Sequence, residues 1–144
     1  MQTDEKLRGI RDECRDLGFA YAVFVDLRRF TELAALFTPD GILHRAYGET
    51  VVGRANIEKA QAARPPTLEI VHQVTPAAIS FTAADEAQGW STFIAVAHDS
   101  NGQAVLALRG AGFFEDRYRK WNGQWLIAER RVRVIGPSPQ GDRK

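Results

Sequence analysis

Residues Leu68–Val74 read L-E-I-V-H-Q-V, and their alternation decides the fold. Leu68, Ile70, His72 and Val74 share one face, while Glu69, Val71, Gln73 and Thr75 share the other. A period of two is the pattern of a half-buried strand. Upstream the period is helical. Leu7, Ile10, Cys14, Leu17, Tyr21 and Phe24 recur at steps of three and four, predicting a long amphipathic helix over roughly residues 4–27. Gly18 costs about 1 kcal/mol relative to alanine inside that helix. A second helix is expected over about residues 29–37, closed by the turn residues T-P-D-G (Thr38–Gly41). A short strand, I-L-H-R-A-Y, then leads through V-V-G to a third helical piece near residues 55–63, which Pro65 and Pro66 end.

Downstream of Leu68 the strands continue, expected over about residues 68–81, 88–98, 104–120 and 125–135, with D-S-N-G-Q and W-N-G-Q as turns. Helices first and long antiparallel strands afterwards give an α+β fold, a single domain over residues 1–136 with a polar, frayed tail over 137–144. Trp125 and Ile127 on one face against Leu126 and Ala128 on the other make both faces of the last strand apolar. A curved sheet would give one face to helices or a cavity and the other to a second subunit, so a homodimer or homotrimer is expected.

The bulk numbers exclude several classes of function. A chain of 144 residues with a formal net charge of +1 offers no electrostatic reason to bind nucleic acid, an anionic membrane or a polyanion. A single cysteine, Cys14, rules out an internal disulfide or a cysteine metal cage and reads as a buried thiol. The charged N-terminus has no signal-peptide core, and no apolar run approaches the ~18 residues of a membrane span, so a cytoplasmic location is expected. No H-x-x-x-H pair, Gly-rich phosphate loop or G-x-S-x-G elbow is present, so neither metal nor cofactor is expected.

His72 is therefore the informative residue, because an imidazole on an apolar face without a partner costs on the order of 1–3 kcal/mol. Asp26, at the end of the first helix in Y-A-V-F-V-D, borders the buried stripe; alone it reads as a solvated helix-end charge or a cap for Arg28 and Arg29. Counted straight along the last strand, Leu126, Ala128, Arg130, Val132 and Val134 share one face and Trp125, Ile127, Glu129, Arg131 and Arg133 the other. Arg130 is then a cation on an apolar face, needing an anionic ligand or a structural carboxylate such as Glu115 or Asp116. His98, beside Asp99, shares a face with Trp90, Thr92, Ile94 and Val96, and reads most simply as a turn histidine. Phe24, Leu43, Trp90 and Phe114 would line an apolar pocket or fill an ordinary core.

Five stretches, Y-A-V-F-V-D, L-A-A-L-F-T-P-D-G, V-V-G-R-A-N-I, V-H-Q-V-T and R-Y-R-K-W-N-G-Q-W-L-I-A-E-R-R, resemble in order and spacing the SnoaL-like branch of the nuclear-transport-factor-2-like superfamily, over about residues 10–135. The resemblance implies a cone: a long N-terminal helix and shorter helices packed on a strongly curved antiparallel sheet that encloses an apolar pocket. It includes scytalone dehydratases, hexachlorocyclohexane dehydrochlorinases and bile acid dehydratases, cofactor-free lyases that use an Asp–His pair. It places Asp26 and His72 at that pair, Arg130 at a pocket arginine, Tyr21 at a pocket tyrosine and, with a one-residue shift, His98 at a second histidine. Gly112 and Phe114 stand where scytalone dehydratases carry Ser and Asn, and Arg45 or Tyr47 stands for their second tyrosine, which argues against scytalone itself.

The expected function is a dehydratase-like elimination on a small, largely apolar cyclic or aromatic substrate. His72 would be the base, Asp26 its orienting partner, Arg130 and Tyr21 stabilisers of developing charge, and His98 a proton donor. An isomerase or cyclase with the same pair, or a binding domain without chemistry, are the alternatives.

Overall fold

The computed structural model describes residues 3–101 and 106–136. Helix α1 (Asp4–Asp26) opens on Thr3, whose hydroxyl accepts from the Lys6 amide at 3.3 Å, and Asp4 and Glu5 suit its positive end. Ile10, Cys14, Leu17, Tyr21 and Val25 form its buried stripe. Its end is set by a Schellman arrangement: Arg29 N–H donates to Phe24 O at 2.8 Å, and Arg28 N–H to Val25 O at 3.2 Å. Arg28 takes the left-handed position, φ 58°, that glycine usually fills. Its guanidinium anchors that conformation by donating to the carbonyls of Arg64 and Pro65 at 3.0 and 3.3 Å. Asp26 is thereby fixed as the last helical residue.

The remaining elements are α2 (Phe30–Ala35), β1 (Phe37–His44), β2 (Thr50–Val52), α3 (Arg54–Ala62), β3 (Leu68–Val74), β4 (Ala78–Ala83), β5 (Glu86–Asp99), β6 (Ala107–Trp121) and β7 (Gln124–Val134). They make an α+β fold with one curved, unclosed sheet ordered β2-β1-β7-β6-β5-β3, and β4 also pairs with β5. Every pairing is antiparallel except β1 with β7. The helices cover the inner face, where Tyr21, Phe37, Tyr118, Trp125 and Ile127 form the main core. Each such side chain contributes about 1.5–3 kcal/mol by leaving water. Among the described residues no helix is long and apolar enough to cross a membrane.

Three expectations need correction. T-P-D-G is not a free turn but lies inside β1: Phe37 pairs with Ile127 and Ile42 with Glu129, so Thr38–Gly41 swell out of the ladder. The strand expected over 68–81 breaks at residues 75–77 into β3 and β4, because Pro76 has no amide to donate. Both halves pair with β5, Val74 opposite Phe93 and Ala78 opposite Trp90. In β7, Tyr118 faces Ile127 and Arg117 faces Glu129, so Ala128 is an extra, bulged residue. The bulge switches the phase of the strand and puts Trp125 and Ile127 on the same side as Arg130 and Val132. The turn expected at 99–103 is described only to Asn101, and the tail at 137–144 lies outside the described residues.

The inner face of β5 carries small residues: Ala87, Gly89, Ser91 and Ala95, with Phe93 as the exception, are buried. Gly89 is required there, since a Cβ would stand 2.6 Å from the Tyr118 ring. This narrow lining leaves room beneath α1 for large side chains and for a cavity.

Candidate active site

His72 lies on β3 opposite Ala95 of β5, on the inner face. Its ring Nδ1 is 2.6 Å from Asp26 Oδ1, and its backbone N–H donates to Asp26 Oδ2 at 2.9 Å. One carboxylate thus grips both the ring and the backbone of the same residue. The negative end of α1 disfavours a carboxylate at Asp26, and these two donors offset that cost. In the neutral ring, Nδ1 donating to Asp26 leaves the lone pair on the other nitrogen, Nε2, which has no protein hydrogen bond among the described residues.

His72 lines a cavity of about 190 Å3 whose walls include Val25, Leu43, Ile70, Phe93 and Phe114. Tyr21 also lines it; its hydroxyl accepts from Gln61 Nε2 at 3.2 Å, and burial is the main cause of a raised phenol pKa. Leu43 and Phe114, which the sequence leaves between pocket wall and core, line the cavity and belong to the core clusters as well. Trp90 does not: it is on the outer face, about half exposed and stacked on Phe113 at 4.9 Å. Phe24 packs against the main core with the Arg29 guanidinium over its ring.

Two expected site residues are placed elsewhere. His98 is on the outer face, opposite Glu69 and 3.3 Å from its carboxylate, and does not line the cavity. Arg130 is fully buried behind the cavity wall rather than in it. Its Nε and Nη2 donate to the two oxygens of Asp116 at 2.8 and 2.7 Å, and its guanidinium is sandwiched 4.3 Å from the Tyr21 ring and 4.1 Å from the Phe114 ring. Burial works against that charge, but Asp116 outweighs it and holds the arginine pKa up. Its contacts are those of the structural Asp116 pairing rather than of a ligand-facing donor.

The cavity also has residues that no periodic pattern marks: Gln61, Arg64 and Arg109, together with Arg45, which only the family resemblance points to. A second, larger groove of about 390 Å3 lies on the outer face beside Trp90, Glu115, Arg117, Glu129 and Arg131, and no histidine lines it. Among the described residues, no three His, Cys, Asp or Glu side chains converge in a way that could hold a metal.

The chain belongs to the SnoaL-like domain family, whose sequence profile matches residues 9–131. Solved structures share its nuclear-transport-factor-2-like fold. The Mycobacterium tuberculosis protein Rv3472, of unknown function, is 25% identical with a TM-score of 0.79, covering 95% of this chain and 77% of that one. A candidate scytalone dehydratase from Novosphingobium aromaticivorans is 24% identical with a TM-score of 0.81, covering 94% and 89%. A hexachlorocyclohexane dehydrochlorinase, LinA type 2, is 18% identical with a TM-score of 0.84, covering 93% and 90%. No curated protein sequence matches the chain significantly.

Proposed function

We propose that the protein is a cofactor-free lyase that eliminates water or halide from a small, largely apolar cyclic substrate. The observation that carries this reading is the Asp26–His72 contact of 2.6 Å on the wall of an apolar cavity, with Nε2 free of protein partners among the described residues. Nε2 would take a proton from a substrate carbon; the C–H electron pair becomes the new C=C bond, and the adjacent leaving group departs with its own pair. Asp26 keeps the ring in the tautomer that can accept and stabilises the imidazolium that results. Tyr21 would donate its phenol proton in a hydrogen bond to developing negative charge, the raised pKa keeping it protonated. Arg130 would act through Tyr21 and Phe114, holding their rings rather than touching substrate.

With His98 outside the cavity, the imidazolium of His72 is the acid that can return its proton to a departing hydroxyl. The same fact favours a second reading, isomerisation or cyclisation, in which that proton goes back to a different carbon. Cyclic β-hydroxy ketones and halogenated cyclohexanes, analysed by product mass and halide release, decide between them: elimination loses water or hydrogen halide, isomerisation keeps the mass. Unchanged turnover of an accepted substrate by both His72→Ala and Asp26→Asn would sink either version.

Assembly as a homodimer or homotrimer fits the outer sheet face, where Val71, Trp90 and Ile94 are exposed. Sedimentation equilibrium showing only monomer at micromolar concentration would refute it.

A further inference from the structure

Several arginines of this protein sit against a carboxylate. Arg29 meets Glu32, Arg119 meets Asp40, Arg130 meets Asp116 and Arg133 meets Glu115. With 19 basic and 18 acidic residues, the chain does not lack carboxylates to supply others. Three arginines gathered around the His72 cavity go without. Arg45, just after β1, Arg64, just after the C-cap Ala63 of α3, and Arg109, the extra residue of a bulge in β6 opposite Ala95 and Val96, all line the opening. Among the described residues none of the three is in an ion pair.

Arg64 shows the shortage most clearly. Its Nη2 donates to the Val25 carbonyl at 3.2 Å, while Nε is buried without a partner. Burial first, then the charge of Arg28, push its pKa below the ordinary arginine value; Arg109 adds to that push, and the Asp26 carboxylate opposes it. Three like charges drawn to one opening from separate segments repel each other, and among the described residues no ion pair relieves them. A bound anion would. The cavity beneath is apolar and, at about 190 Å3, smaller than the ~300–1,000 Å3 that drug-sized ligands occupy.

We propose that the substrate is a small apolar carboxylic acid, its hydrocarbon body in the cavity and its carboxylate held at the rim by Arg45, Arg64 and Arg109. A guanidinium presents a planar fork that matches the two oxygens of a carboxylate. Fixing that end of the substrate also fixes which carbon lies over His72 Nε2. The inference rests on the reading of this cavity as the substrate site, but its test needs no turnover.

Isothermal titration with benzoate, trans-cinnamate and 2-naphthoate, each beside its primary amide, and with phenyl phosphate, reads the preference directly. At least one acid should bind about tenfold or more tighter than its amide, the range of charge-assisted hydrogen bonds. That preference should shrink to within about twofold in the Arg45→Gln/Arg109→Gln double variant, whose exposed positions leave the fold intact by circular dichroism. It should persist in His72→Ala, which shows that an imidazolium is not its source. Equal binding of acid and amide, no binding of any acid, survival of the preference in the double variant, or tighter binding of phenyl phosphate than of every acid would each overturn the proposal. If the acid preference stands while His72→Ala and Asp26→Asn turn over substrate normally, the rim is right and the elimination is wrong. Loss of the preference beside a collapse of turnover in those two variants means the reverse.

Discussion

Asp26 and Asp116 are both aspartates gripped by a basic partner, and they have opposite fates. Asp116 accepts from Arg130 Nε and Nη2 and from the Tyr118 hydroxyl at 3.0 Å, and both ends of the pair are sealed. Asp26 accepts from the ring and backbone of His72, and its pair keeps about a sixth of its side-chain surface open, 18% and 16%. A guanidinium cannot release its proton, so a sealed Asp–Arg pair holds structure and does nothing else. An imidazole has a second nitrogen, so in its neutral form the same grip leaves a usable lone pair. Arg130 Nη1 is also left without a partner among the described residues, but it is a donor with no lone pair and no space beside it. What separates a structural ion pair from a candidate catalytic one is therefore a free lone pair and the space it faces, not the strength of the contact.

The sharpest way to break this contrast is to remove Asp116. Asp116→Ala leaves Arg130 buried without its carboxylate and should lower urea stability by about 3–5 kcal/mol, whereas Asp116→Leu with Arg130→Met should recover most of that. His72→Ala should do the reverse, cutting turnover about 10²–10⁴-fold while moving the urea midpoint far less. A His72→Ala protein as unstable as Asp116→Ala would put both pairs in one structural class.

Alkaline pH probes the buried thiol and phenols of both regions together. Burial raises the Cys14 thiol from 9.0 to about 12, and likewise raises the Tyr118 and Tyr21 phenols. The folded protein keeps protons that the unfolded chain releases, so this stability is complete below about pH 9 and is lost as pH climbs towards 12. Urea midpoints measured at pH 8, 9.5 and about 10.5 should fall in that order, by on the order of 2 kcal/mol at the last. A flat profile would mean these groups are open to water.

Smaller effects sharpen the boundary between the two regions. Tyr118→Phe removes one hydrogen bond to buried Asp116 and should cost about 1–2 kcal/mol of stability with turnover unchanged. Tyr21→Phe should cost at most about 1 kcal/mol, since its bond from Gln61 is long; a tenfold loss of kcat beside it would place that hydroxyl on the reacting side.

Asp26 and His72 each stand out in the sequence because each sits in a regular element, one at the end of a helical stripe and one on an alternating strand, while their pairing comes from the family resemblance. Direction is readable wherever period is. On β5 the same reasoning misleads, because its bulky face, Trp90 and Ile94, points outward while Gly89, Ser91 and Ala95 point in. A size-based reading assigns the larger side chains to the interior, so Trp90 and the histidine in phase with it, His98, look closer to the pocket than they are. Arg130 stands out in the sequence as a buried cation, but its partner could be either of two neighbours on β6 until the register puts Asp116 opposite it. Arg45, Arg64 and Arg109 sit after a strand, after a helix and in a bulge, where no period exists to say which way a side chain points.

The bulge in β7 is constrained more tightly than the identity of the residue at 128. Ala128 is the odd residue that lets Trp125 and Ile127 share a side with Arg130 and Val132. Any residue that tolerates a bulge could stand there, but straightening the strand with that residue kept would turn Glu129, Arg131 and Arg133 towards Tyr21 while Arg130 swings out. A one-residue insertion that no further bulge absorbed would act on this strand as a frameshift acts on a message, with every side chain downstream delivered to the wrong address.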